Sequence, residues 1–156
     1  MARIAPAAAF AAMLAIAAPA LADTATRETP SADQTRARPG DDTSGRIQRG
    51  EASYYHPSLH GRTMANGEKF DMRSNSAASR TLPLGTVARV RNLETGQIAI
   101  VEIEDRGPFA KGRVLDVSPR TAERLGMKHD GVAPVEIAPI EVPQRDGSVK
   151  PGAGAR

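Results

Sequence analysis

Three carboxylates stand in settings where such a group can do chemistry. Asp105 closes the apolar alternation Gln97 to Asp105 and precedes Arg106-Gly107-Pro108, where the chain must turn sharply. Glu68 follows Ala65-Asn66-Gly67, and Asp116 lies inside the apolar run Arg113-Val114-Leu115-Asp116-Val117. A carboxyl group at the end of a rigid strand can give and take a proton if its pKa is raised by burial or a neighbouring negative charge. By residue type alone, Asp105 is first of all ordinary turn chemistry, paired with Arg106 or Arg62. Glu68 can equally close its own loop by accepting from backbone amides. Asp116, if buried, must be hydrogen-bonded, which favours a structural role. Strict alternation turns Glu102 and Glu104 to the face opposite Asp105, leaving Glu68 and Asp116 as its expected neighbours.

The elements that must position these groups are short. Glu51 to Tyr55 reads as a strand leading into a loop of His56, Pro57, His60, Gly61, Asn66 and Gly67. Val87 to Asn92 and Gln97 to Asp105 are strands joined by the turn residues Asn92-Leu93-Glu94-Thr95-Gly96. Arg113 to Val117 is a third apolar strand. A helix of about two turns follows, with Ser118 as its cap, Pro119 at its first position and Gly126 at its end. Val132 to Val142 holds the last strand or strands, with Pro134 and Pro139 at edges or bulges. Many short strands, frequent Gly and Pro and one small helix indicate a compact β-barrel.

The flanks have other compositions. Arg3 followed by the apolar run Ala7 to Ala18, then Pro19 and Ala20-Leu21-Ala22, has the form of a signal peptide over residues 1–22. The run is too short to span a bilayer, which takes roughly 20 residues, so no integral membrane segment is expected in the mature chain. Residues 23–48 carry Ile47 as their one large aliphatic, and residues 144–156 are rich in Gly, so both are expected to be disordered around a domain at residues 49–143. The chain has no Cys, which excludes disulfides and a lipid-bearing cysteine. Between Gly50 and Pro143 there are 12 Lys and Arg against 12 Asp and Glu, so the net charge of +3 belongs to the flanks. A neutral domain lacks the basic face of a nucleic-acid binder. His56, His60 and His129 have no zinc spacing, and no metal or cofactor is expected. No nucleophile elbow accompanies the serines.

Four stretches make the barrel reading specific. They are Gly50-Glu51-Ala52-Ser53-Tyr54-Tyr55, then His60-Gly61-Arg62-Thr63-Met64-Ala65-Asn66-Gly67-Glu68-Lys69-Phe70-Asp71-Met72, then Ala77-Ala78-Ser79-Arg80-Thr81-Leu82-Pro83-Leu84-Gly85-Thr86, and Asp105-Arg106-Gly107-Pro108-Phe109 leading into Gly112 to Ser118. In this order and spacing the chain resembles the rare lipoprotein A family over essentially all of residues 50–142. The resemblance implies a mainly β fold, a six-stranded double-psi β-barrel with one or two short helices. It also implies action on peptidoglycan as a lytic transglycosylase, cleaving glycan strands that lack stem peptides and leaving 1,6-anhydro-muramic acid ends. Expected with it are a periplasmic or secreted location, glycan strands as the partner, and a monomer. Departures from the family are also expected: no lipid-bearing cysteine and no C-terminal glycan-binding repeat domain. The chain also has Ser79 where active members carry His.

The implied chemistry assigns roles. Breaking a glycosidic bond requires a proton for the leaving oxygen. Because the C6 hydroxyl of the sugar closes onto C1, no external water is needed, and one carboxyl can donate a proton and later take one back. The resemblance makes Asp105 that carboxyl, with Glu68 assisting or tuning it. Ser79, His60, Arg62, Asn66, Tyr55 and Arg106 are the expected substrate-binding residues. Tyr54 and Tyr55 alternate, so one packs inward while the other stacks on a sugar ring. Ser79 offers a hydroxyl but not the proton transfer of an imidazole. That favours the alternative, a non-catalytic glycan-binding or wall-loosening barrel.

Overall fold

The computed structural model describes residues 35–156. The expected signal peptide and the first part of the expected leader lie outside the described residues. Six strands close a barrel: β1 (Gln48–Tyr54), β2 (Ser76–Ala78), β3 (Val87–Asn92), β4 (Ile98–Asp105), β5 (Arg113–Val117) and β6 (Val132–Pro143). They neighbour one another in the order β1-β5-β2-β4-β3-β6, and β6 returns to pair with β1. The β1–β5 and β2–β4 pairs are parallel and the rest antiparallel. This is the interlocked double-psi arrangement.

Alternation builds the interior. On β4, Ala99, Val101 and Ile103 point in while Ile98 and Ile100 face solvent. Ala52, Ala77, Val90, Leu115, Val117 and Ile137 meet them from the other strands, and Leu82, Leu84, Leu125 and Met127 complete the core. Each large aliphatic buried this way contributes about 1.5–3 kcal/mol. The helix α1 (Pro119–Arg124) begins as its sequence requires, with the Ser118 hydroxyl accepting from Thr121 N at 3.2 Å. Asn92 holds the β3–β4 turn, accepting from Glu94 N at 2.9 Å and donating to Leu125 O at 2.8 Å.

Pro139 sits at a bulge as the sequence reading has it, whereas the flanks differ from that reading. β6 runs unbroken through both prolines because it changes partner along its length. Pro134 pairs with β1 before the β3 ladder begins at Val135, and Pro139 lies at the register shift opposite Val87 and Ala88. The flanks, expected to be disordered, are laid onto the barrel in residues 35–48 and 144–156. β7 (Val149–Pro151) pairs with β6, Ala37 N donates to Gln144 O at 3.4 Å, and Ala153 N donates to Gly45 O at 2.9 Å. The glycines of the tail serve close approach. A Cβ on Gly152 would lie 2.3 Å from Pro139 O, and one on Gly154 would lie 2.3 Å from Ala138 O. Backbone pairing replaces the apolar anchors that these segments lack.

Candidate active site

The ends of β1, β2, β4 and β5 meet at one side of the barrel. Register aligns Ser53, Asp116, Ala78 and Asp105 across the four strands. With neighbouring strands about 4.8 Å apart, Asp116 lies roughly 10 Å from Asp105. Asp105 is partly exposed at the end of β4. One carboxylate oxygen accepts from Ala65 N and Arg106 N, both at 2.9 Å, and the other accepts from the Tyr55 hydroxyl at 2.9 Å. The ring of Tyr55 rests against Phe70 with centroids 4.6 Å apart. Burial, then the charge of Asp105, pushes the Tyr55 phenol well above its ordinary pKa, so it remains a donor. Tyr55 is thus the tyrosine of the site, whereas Tyr54 packs on the core and donates to Lys128 O.

The segment carrying Glu68 is fastened to the same strand end. Asn66 N donates to Glu104 O at 3.1 Å, and Asn66 Oδ1 accepts from Glu68 N at 3.0 Å, making the turn that presents Glu68. Asn66 is buried, and its amide also reaches a Glu68 carboxylate oxygen at 3.4 Å. Glu68 in turn hydrogen-bonds the Glu104 carboxyl. Glu104 is a residue that alternation had turned away. The register moves from Ala77 opposite Ile103 to Ala78 opposite Asp105, so Glu104 is the extra residue of a bulge. A bulge re-aims side chains beside it. Burial above all pushes Glu104 up to about 7, with the charges of Glu102 and Glu68 acting the same way against the hydrogen bond from Ser76. Glu102 is raised too, by burial and by Glu68 and Glu141.

The remaining expected site residues divide. Arg62 is exposed, and among the described residues its guanidinium has no hydrogen bond or ion pair. His60 is half-exposed and braces its loop, with Nδ1 accepting from Met72 N at 3.3 Å and lying 3.8 Å from Asp71. Ser79 and Arg106, expected to face substrate, are turned to the chain instead. Ser79 is fully buried, and its hydroxyl accepts from Thr81 N at 3.3 Å and Leu82 N at 3.1 Å. Arg106 donates to Leu82 O at 2.6 Å and Ser79 O at 3.3 Å, and its other nitrogen grips both oxygens of Asp41 at 3.0 and 3.1 Å. Buried backbone carbonyls need donors, and this turn obtains them from the guanidinium. Asp116 is held by Ser53 and Arg113, as a half-buried strand carboxylate requires. Phe109, past the turn, is 80% exposed.

A family model described as lytic transglycolase matches residues 47–137. A probable endolytic peptidoglycan transglycosylase RlpA from Synechocystis is 48% identical over 95 residues, covering 61% of this chain and 30% of the relative. The endolytic peptidoglycan transglycosylase RlpA of Neisseria meningitidis serogroup A is 43% identical over 93 residues, covering 60% of this chain and 39% of the relative. The chain therefore spans about a third of the length of these relatives. Among solved structures, an apo expansin of Clavibacter michiganensis superposes with a TM-score of 0.44 at 19% identity, over 60% of this chain and 50% of that one.

Proposed function

The chain belongs to the lytic transglycolase family, and from that premise we propose that it cleaves peptide-free glycan strands of peptidoglycan, outside the cytoplasm, to leave 1,6-anhydro-muramic acid ends. The observation that carries this reading is the setting of Asp105. Its carboxyl is held by the Tyr55 hydroxyl and by Ala65 N at the strand end, on the same turn that carries Glu68. A fixed carboxyl with an open side suits a reaction in which one group gives a proton to the leaving oxygen and then takes one from the C6 hydroxyl as O6 bonds to C1. Glu68 supports it as a second carboxyl against the positive charge that develops on the sugar ring. Arg62, exposed and without an ion pair among the described residues, suits the lactyl carboxylates that a peptide-free strand exposes, and Tyr55 and His60 suit contacts to the sugars. Asn66, Ser79 and Arg106 act one step back, by shaping the turns.

One specific observation favours a second reading, a barrel that binds glycan without cutting it. Ser79 stands in place of an imidazole and its hydroxyl is spent on backbone amides. Digestion of amidase-treated strands, followed by mass spectrometry, separates the two. The native chain is expected to release anhydro products, and Asp105→Asn to lower the rate by about a hundredfold or more. Strands retained equally by both proteins, with no anhydro product from either, would establish the binding barrel instead.

A further inference from the structure

Glu104 is drawn into the site by the bulge and held there from three sides. Its backbone oxygen takes Asn66 N, the Ser76 hydroxyl donates to its carboxyl, and the Glu68 carboxyl shares a hydrogen bond with it. Ser76 is itself braced by Ser74, whose hydroxyl lies 2.7 Å away. Two carboxyl groups in hydrogen-bond contact cannot both be anionic without strong repulsion, so the pair retains one proton. Burial above all holds a proton on Glu104, because ionising an enclosed carboxyl is costly.

We propose that Glu104 is a positioning residue for this reaction: protonated, it donates to the Glu68 carboxylate and keeps the Glu68 turn in register with Asp105. The inference rests on the reading of Asp105 as the reacting carboxyl. No proton leaves the Glu68–Glu104 pair during turnover. The proton given to the leaving oxygen and the one taken from the C6 hydroxyl both pass through Asp105, as the C1–oxygen bond to the leaving sugar breaks and C1–O6 forms.

The groups facing Glu104 come from every element packed against it. They are Glu102 and Asp105 of its own strand, Glu68 and Asn66 of the turn, Ser76 of β2 and Tyr55 after β1, with Glu141 of β6 acting on Glu102. The charged groups among these are acidic and oppose ionisation of Glu104, and burial joins them against the one contact that favours it, the hydrogen bond from Ser76. As pH rises through about 7 the shared proton is lost, the two carboxylates repel, and the turn loosens from β4.

Rate against pH, measured on the full chain from about pH 5.5 to 8.5, tests this with two variants. Glu104→Gln keeps a donor for Glu68 but cannot ionise. It is expected to retain activity within about threefold at pH 6 and to lose the fall in kcat near neutrality. Glu104→Ala is expected to lose about tenfold in kcat at pH 6 with KM little changed. A Glu104→Gln protein with the same alkaline fall as the native chain would overturn the proposal. Carbon-13 NMR of the glutamate carboxyls needs no turnover. One resonance titrating near neutrality, absent in Glu104→Gln and moved to lower pH in Glu68→Gln, is expected. All glutamates titrating in the ordinary carboxylate range would overturn the proposal whatever the activity. That coupling observed in a native chain that makes no anhydro product would support the pair and count against the Asp105 reading alone.

Discussion

At the scale of single residues, the phenol of Tyr55 has the clearest consequence. Its hydroxyl donates to the Asp105 oxygen that lies away from the backbone amides, while its ring is already fixed by Phe70. Tyr55→Phe therefore removes one hydrogen bond and leaves the packing intact. The expected result is a drop of about tenfold in kcat with a stability loss of only about 1 kcal/mol, read from steady-state rates and a thermal melt. A large loss of stability would instead identify the hydroxyl as a brace of the fold. Asp105 and Glu68 can be singled out as candidates in the sequence because their motifs occur in order across the domain. Glu104 cannot, since alternation assumes an unbroken ladder, and the bulge depends on where β2 happens to pair. The inward roles of Ser79 and Arg106 are not legible either, because sequence does not reveal which carbonyls and amides a folded turn leaves in need of partners.

At the scale of elements, the strands with large apolar side chains were readable, Val87–Asn92 and Arg113–Val117 to their ends. β2 was hidden because Ser76–Ala78 is three small residues with no period to detect. The flanks escape a reading from composition for a different reason. In residues 35–48 and 144–156 the order comes from backbone pairing and from polar side-chain contacts, a poorly exposed ion pair among them, none of which composition records. The Asp41 side chain is 7% exposed and Arg106 21% exposed, and the pair ties residues ahead of the barrel to the turn that follows Asp105. Removing one member leaves the other without its counter-charge in a poorly hydrated place. Asp41→Ala is expected to cost about 3 kcal/mol in a urea melt. The double change Asp41→Ala with Arg106→Met should recover part of that loss. Additive losses from the two single changes would show that the residues act independently.

At the scale of the whole molecule, the raised carboxyls on β4 set how stability responds to pH. Glu104 and Glu102 hold protons in the folded state that the unfolded chain releases near the ordinary glutamate pKa of 4.5. Their favourable contribution is full below that value and is lost as pH rises through their folded pKa, about 7 for Glu104. Melting temperature is therefore expected to be higher near pH 5 than near pH 8, and Glu104→Gln should flatten the slope. A melt that rises with pH over this interval would contradict the assignment.

The closure of the barrel by β1 carries one more consequence, about time. The residues that β1 meets come late: Ser53 contacts Asp116, 63 positions on, and Arg49 contacts Glu136, 87 positions on. Long-range pairing of this kind forms slowly, because the chain must close large loops before any contact repays it. A ribosome that has released the first hundred or so residues has exposed Tyr55, Glu68 and Ser79 but not the strands that assemble them. Nascent chains, and fragments that stop short of β6, should therefore be inert and readily digested. The site is thus expected to assemble late, once β5 and β6 are available.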